Sequence, residues 1–439
     1  MNRIYRVIWS KVRNAWVVAS ELATAGGKSS GTRVRTSRVQ VPSAGAHRSA
    51  WPLRMAIVAV LFSGQVRAAD LYWDVNRTDP GFGGTGTWDL RTLNPFWDSE
   101  GDGITGPYVP WDNAAFDNAI FTGVAGTVTL GVPITVHNLT FNTSGYTLTG
   151  ETLTLAGTTP TITTAGVTTN INAAIAGTAG LTKGGTGALH LNGINTFQGD
   201  INLNLGSLYA AGDSALGNAS NNIFTAPGAL VRLNIAGDIN TSRTVTIGNG
   251  GTLILEGIRG GSARVTGNGN VQVGIGATLS NDSSNYTGTT TFYGANACVC
   301  ASFFTSIADL GQPSSLGAPT TPESGTIVFA QSSQYADRLS YIGTVPTGHS
   351  SNRNWTLQGA GAEIWNQGAG PLTLTGTITG NSGSWFVAQT GDFNLLGAIG
   401  GGTNLTFSGN PGRTITLAGA NTYTGSTSVA SQSAAGPFT

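Results

Sequence analysis

Beyond residue 68 the chain is written in short apolar alternations. Thr127-Val-Thr-Leu130, Ile134-Thr-Val-His-Asn-Leu-Thr-Phe141, Tyr146-Thr-Leu-Thr149 and Thr152-Leu-Thr-Leu155 carry an apolar residue at every second position, the period of a half-buried strand. Gly, Asn or Pro closes each run, and these residues build turns. No stretch after residue 68 sustains a helical period. Strands this short and this closely spaced predict an all-β stack or the coils of a solenoid. One coil is too thin to bury its own apolar face, so coils must stack and join those faces into a continuous column.

Repeats sharpen that expectation. Residues 181–199 are echoed by residues 405–425, with Leu191 matching Leu417, Gly193 matching Gly419, Asn195 matching Asn421, Phe197 matching Tyr423 and Gly199 matching Gly425. The first copy also carries Leu181, Gly187 and Leu189, and the second has one extra residue ahead of Leu417. A weaker third copy runs around Tyr286. Repeats are thus placed near 180–217, 274–317 and 404–427. The uneven spacing of Phe197, Tyr286 and Tyr423 suits a solenoid with loops rather than a propeller of fixed blades. The Asn-Thr-aromatic-x-Gly corner reads as a polar turn, an aromatic packed on the neighbouring coil and a Gly reversal.

The first 68 residues have a different texture. Arg3, Arg6, Lys11 and Arg13 interleave with Ile4, Val7, Ile8, Val12, Trp16, Val17 and Val18, which predicts a basic amphipathic helix. A second basic stretch leads into the apolar run at 55–62 and then Ser-Gly-Gln-Val66-Arg-Ala68-Ala69. That run is far short of the ~20 residues a membrane-spanning helix needs. A short apolar core before small residues is a secretory signal pattern. Val66 and Ala68 fit the small-x-small rule, so cleavage is expected between Ala68 and Ala69.

Charge divides the same way. Residues 1–68 hold 11 Lys and Arg and one acid, Glu21, whereas residues 69–439 hold 10 basic and 20 acidic residues. An acidic remainder without clustered Lys and Arg argues against nucleic acid or anionic lipid as a partner. Only 10% of residues are charged and 65 are Gly. The two cysteines, Cys298 and Cys300, are one residue apart, too close for an unstrained disulfide and too few for a metal site.

Residues 1–30 resemble the extended signal peptide region of large Gram-negative autotransporters. The resemblance rests on Met1 to Trp9, Ala15-Trp16-Val17, Ser20-Glu21-Leu22-Ala23 and Gly27-Lys28-Ser29, with Arg3 and Ser10 departing from the commoner Lys and Asn. Residues 180–199 resemble the autotransporter-associated β-strand repeat, with Phe197 for its Tyr. Residues 404–425 resemble its second half, with Phe407 for its Lys. The resemblance implies a right-handed parallel β-helix passenger outside the outer membrane, preceded by a helical or disordered signal segment. It also implies the inner-membrane export machinery and an outer-membrane β-barrel as partners, and a host-cell or sister-cell surface as ligand. No barrel can be read in the residues up to Thr439, so the barrel is expected outside this chain.

Residues 69–122 are rich in aromatics and Asp, including Tyr72-Trp-Asp74, Trp88-Asp89, Trp97-Asp98 and Trp111-Asp112. We read them as a cap over the first coil of a passenger at 123–439. A sugar-binding aromatic surface and a calcium loop at Asp98–Asp102 are the alternatives. No catalytic residue, cofactor site or metal site is expected. Gly27-Lys28-Ser29 lacks the upstream Gly of a phosphate-binding loop, with Leu22 in its place. Gly212-Asp213-Ser214-Ala215 has none of the four histidines, His47, His137, His190 and His349, at an esterase spacing. Acids such as Glu151, Asp200, Asp213, Asp238, Glu256 and Asp282 are scattered. A structural or adhesive passenger is the leading reading. A serine-type hydrolase and a two-partner secreted adhesin are its rivals.

Overall fold

The computed structural model describes residues 5–10, 15–20, 68–77, 79–239, 242–258, 263–274, 276–293, 301–330, 337–358, 362–381 and 383–431. Two units are distinguished, Met1–Phe62 and Ser63–Thr439.

In the first unit, Tyr5–Ser10 pairs antiparallel with Ala15–Ser20, Trp9 lying opposite Trp16 in the register. The signal extension was expected to be helical or disordered, and at these residues it is a hairpin. Val, Ile, Tyr and Trp dominate both segments, and β-branched and aromatic side chains favour extended backbone over helix. The apolar run at 55–62 and both cysteines lie outside the described residues.

The second unit is a parallel β-solenoid. Its strands stack coil on coil into a 14-stranded and an 11-stranded sheet, with shorter sheets of 3, 7 and 4 strands forming further flanks. Leu181 pairs with Ile201 and Ile201 with Ile223, so one coil takes 20 residues and the next 22. The run read as one strand from Ile134 to Phe141 is two strands, Ile134–Val136 and Leu139–Phe141, in different sheets. His137 and Asn138 form the corner between them. Apolar residues fall at 134, 136, 139 and 141, and the step of three is where the chain turns.

Inward positions form unbroken columns. Val128, Leu148, Ile171, Leu191, Ala210 and Ile235 are successive register partners, all buried. Phe121 and Phe141 stack with centroids 4.8 Å apart and planes 11° apart, matching the ~4.8 Å between neighbouring strands. At the N-terminal end, Trp97–Asp98 adds antiparallel to Asp70–Trp73 and Tyr108–Val109 adds to it in turn. Trp73, Trp88, Trp97 and Trp111 pack edge and face with centroids 4.8–5.2 Å apart. All four are at most 3% exposed, so their indoles feed the core and offer no open ring face to a sugar.

One coil swells without breaking the stack. Thr290 pairs directly with Ile327, and within that coil Ala301–Phe304 keeps its place in the 7-stranded sheet, so the excursion lies between Phe304 and Ile327. Buried Arg353 pins this excursion, donating from Nε to Gly325 O at 2.7 Å and from Nη1 to Leu316 O at 2.7 Å. Burial pulls its pKa down to about 10.

Candidate functional site

The repeat residues divide between strands, where the leucines lie, and corners, and they hold coil to coil. Leu189 and Leu191 fill the core, and Leu181 and Phe197 are buried with them. A Cβ on Gly187 would lie 2.1 Å from Val167 O, and one on Gly193 would lie 2.5 Å from Ala173 O, so neighbouring backbone leaves room for glycine alone. Gly199 sits at φ +98°, against Gly180 one coil back, a conformation glycine adopts without strain.

Asn195, 5% exposed, ties three coils together. Its Oδ1 accepts from Ile175 N at 2.7 Å one coil back, and its Nδ2 donates to Ala215 O at 2.6 Å one coil on. Asn421 repeats the backward bond, accepting from Ile399 N at 2.9 Å. In the weak third copy Ser284 holds this position, and its Oγ accepts from Val265 N at 3.1 Å. Tyr423 and Tyr286 add a bond that Phe197 cannot make, between the phenol and Thr427 Oγ1 at 2.6 Å and Thr290 Oγ1 at 2.7 Å respectively. Leu417 and Tyr423 are half-buried. Gly419 and Gly425 again face backbone, their added Cβ atoms meeting Gly397 O at 2.1 Å and Thr403 O at 2.0 Å.

Two buried cations complete the inner framework. Lys183 donates to Gly184 O, Gly185 O and Leu205 O at 2.8, 2.8 and 3.1 Å, and burial lowers its pKa to about 8. Arg243 grips the Gly-Asp-Ser turn. It binds Asp213 Oδ1 at 2.6 Å and Oδ2 at 3.1 Å, and also Asn218 O, Asn221 O and Gly217 O. That arrangement serves Asp213 as a structural ion pair inside a 3-10 turn, Asp213–Leu216. Ser214 is exposed. Two of the histidines are engaged elsewhere: His190 stacks on Tyr209 at 4.4 Å, and His349 Nδ1 meets Tyr341 OH at 2.6 Å. In the Asp98–Asp102 loop, backbone N–H groups of Glu100, Gly101 and Gly103 donate to Asp98, and those of Ile104 and Thr105 to Asp102. Among the described residues no three metal-ligating side chains gather.

The outer flanks carry what sequence reasoning missed. On the 14-stranded sheet, a depression of about 390 Å³ is lined by Leu205, Leu230, Ile254, Ser207 and Arg232. Arg232 pairs there with Glu256, which also accepts from Tyr293 OH at 2.5 Å. Burial works against the Glu256 charge, yet Tyr293 and Arg232 hold its pKa below the usual range. On the 7-stranded sheet, Arg338, Glu363, Trp365 and Trp385 gather. The clue available in sequence was Trp385, an aromatic at the outward position between inward Ser384 and Phe386.

Asn195→Ala strands the Ile175 N–H and the Ala215 carbonyl, and we expect a loss of about 2–4 kcal/mol. Hydrogen exchange at Ile175, faster in the variant than at distant coils, checks it. For Lys183 the sign follows from its lowered folded pKa. Between about 8 and the ordinary 10.5 the unfolded chain binds more protons, so stability rises with pH across that window. Thermal melts from pH 8 to 10 should show the native chain gaining on Lys183→Met; a constant difference would contradict the assignment.

Residues 1–49 match the extended signal peptide of the type V secretion system. Over 387 residues, 85% of this chain, the sequence is 44% identical to the adhesin BmaC autotransporter of Brucella suis biovar 1 (strain 1330). The chain spans 11% of that relative's length. No solved structure matches it. With a signal of type V secretion, a parallel β-solenoid following it in sequence and this degree of identity, the chain is a homologue of an autotransporter adhesin over most of its length, with the signal for export to the cell surface or outer membrane of a Gram-negative bacterium.

Proposed function

We propose that the solenoid is an adhesive passenger without catalytic activity, carried by an outer-membrane β-barrel and presented to a host-cell or sister-cell surface. The observation that carries this reading is how the chemistry-bearing side chains are spent. Asp200 accepts from Asn222 N, Asp213 from Arg243, Glu256 from Arg232 and Tyr293, and Asp282 from Thr305 and Ser306. Through these bonds each carboxylate fastens coils or turns, whereas acid–base catalysis needs a group held for the substrate's proton. The name of the adhesin relative supports the same reading. Bacteria displaying the exported chain should adhere to cultured host cells or to one another several-fold better than bacteria displaying the barrel alone. Equal adherence in both assays would refute an adhesive role.

Residues 69–122 serve in this reading as the cap, since their indoles close the first coil and their antiparallel strands end the parallel stack. The signal is removed between Ala68 and Ala69. Ala69 N already donates to Asp117 Oδ1 at 2.8 Å, and Asn118 N to Ala69 O at 2.8 Å. Cleavage there converts an amide donor into an α-ammonium facing a carboxylate, a stronger, charge-assisted contact. Mass spectrometry of the exported protein should find a new N-terminus at Ala69; a start elsewhere would overturn the assignment.

A further inference from the structure

Among the described residues, Trp385 is the tryptophan most open to solvent. Trp73, Trp88, Trp97, Trp111 and Trp355 are at most 3% exposed, whereas Trp385 is 41% exposed. It stands on Ser384–Ala388, flanked in the register by Glu363 on one coil and Thr406 on the next. Glu363 in turn is flanked by Arg338. Arg338, Glu363, Trp385 and Thr406 therefore occupy four consecutive rungs of one outward ladder, about 4.8 Å apart.

The rungs beside Trp385 are fixed in place. Glu363 Oε2 accepts from Arg338 Nε at 3.3 Å and from Trp365 Nε1 at 3.1 Å. The Arg338 guanidinium lies 3.7 Å from the centre of the Trp365 ring, a cation–π contact. Arg338 and Glu363 remain about a third and a fifth exposed, with side-chain accessibilities of 31% and 18%. Glu363 Oε1 and the terminal guanidinium nitrogens have no partner in this network, so an acceptor lies one rung and donors two rungs from the open indole. An exposed aromatic face next to planar, pre-oriented hydrogen-bonding groups matches one ligand chemistry: a pyranose, whose C–H face stacks on the ring while its hydroxyls bridge carboxylate and guanidinium. The two charges neutralise each other, which favours an uncharged sugar over a sulfated or carboxylated one.

We propose that Trp385, Glu363 and Arg338 form a binding site for neutral hexopyranosides. This deepens the adhesive reading above and rests on it, by naming a ligand class and the residues that take it. Trp385 supplies the stacking platform, Glu363 accepts from sugar hydroxyls and Arg338 donates to them. Trp365 is a positioning residue that locks the other two. Thr406 extends the track by one rung, so an oligosaccharide lying along the solenoid axis fits better than a single ring.

The test is titration of the purified exported chain with lactose, cellotetraose and a sulfated heparin oligosaccharide, followed by tryptophan fluorescence. We expect a neutral oligosaccharide to bind and to shift the emission, and Trp385→Ala to weaken it about tenfold or more, as loss of a buried aromatic anchor does. Trp385→Phe should restore part of the affinity. Glu363→Gln should weaken binding while circular dichroism and melting stay unchanged. Absence of binding by either neutral sugar, binding of the heparin oligosaccharide alone, or neutral-sugar binding indifferent to Trp385→Ala would each overturn the site. Adherence of bacteria displaying Trp385→Ala separates the two claims. Adherence at the native level, with no sugar bound by the native chain, removes the glycan site and leaves the adhesive passenger standing. Absence of adherence by the native chain removes the passenger reading itself.

Discussion

A coil of this chain cannot satisfy its own backbone. Each strand's N–H and C=O groups point along the solenoid axis, and they find partners only on the coil before and the coil after. Along the flat flanks the parallel ladders do this without help. At the corners the backbone turns out of register, and side chains take over. Asn138 accepts from Thr161 N, Asn222 from Thr244 N, Asn354 from Thr377 N and Asn404 from Ser426 N, each at 2.8–2.9 Å. Asn195 and Asn138 reach both ways, Asn138 Nδ2 also donating back to Asn118 Oδ1 at 2.9 Å. These amides are why the coils align well enough for their apolar columns to meet.

That alignment separates two surfaces with different duties. Inward positions alternate Leu, Ile, Val and Phe and exclude water, and the few polar groups there, such as Lys183 and Arg243, are enclosed by carbonyls. Outward positions carry Thr, Ser and Asn in long ladders, which present a regular, hydrated and nearly flat wall. Against such a wall a single exposed indole or a shallow depression is conspicuous. Stability comes from the inside and from the corners, so the wall is free to vary in chemistry.

Much of this was legible in the sequence because the strand period is local. Alternation gave the strands, and closely spaced Gly and Asn gave the corners. The pairing of Asn195 with Asn421 and of Phe197 with Tyr423 marked equivalent places in two coils. Other features were hidden for physical reasons. The corner at His137 and Asn138 shows only as a step of three inside an otherwise continuous alternation. The hairpin at the start was read as a helix because its charges recur at spacings that suit either period, and its β-branched content decides between them. The contact of Arg338 with Glu363 spans 25 residues, and its partners can be named only once the length of the intervening coil is known. Coil length varies from corner to corner, so no fixed offset could have revealed it.

The excursion between Phe304 and Ile327 shows what that variation permits. A coil is joined to its neighbours through its strands, and extra chain inserted at a corner leaves the strand register untouched as long as one residue, here Arg353, fastens the loop. Insertions and deletions of whole loops therefore carry little folding penalty in this architecture. A lineage of such proteins can change length, display new segments and retire old ones by small genetic steps. Its exposed face can then change faster than its scaffold does.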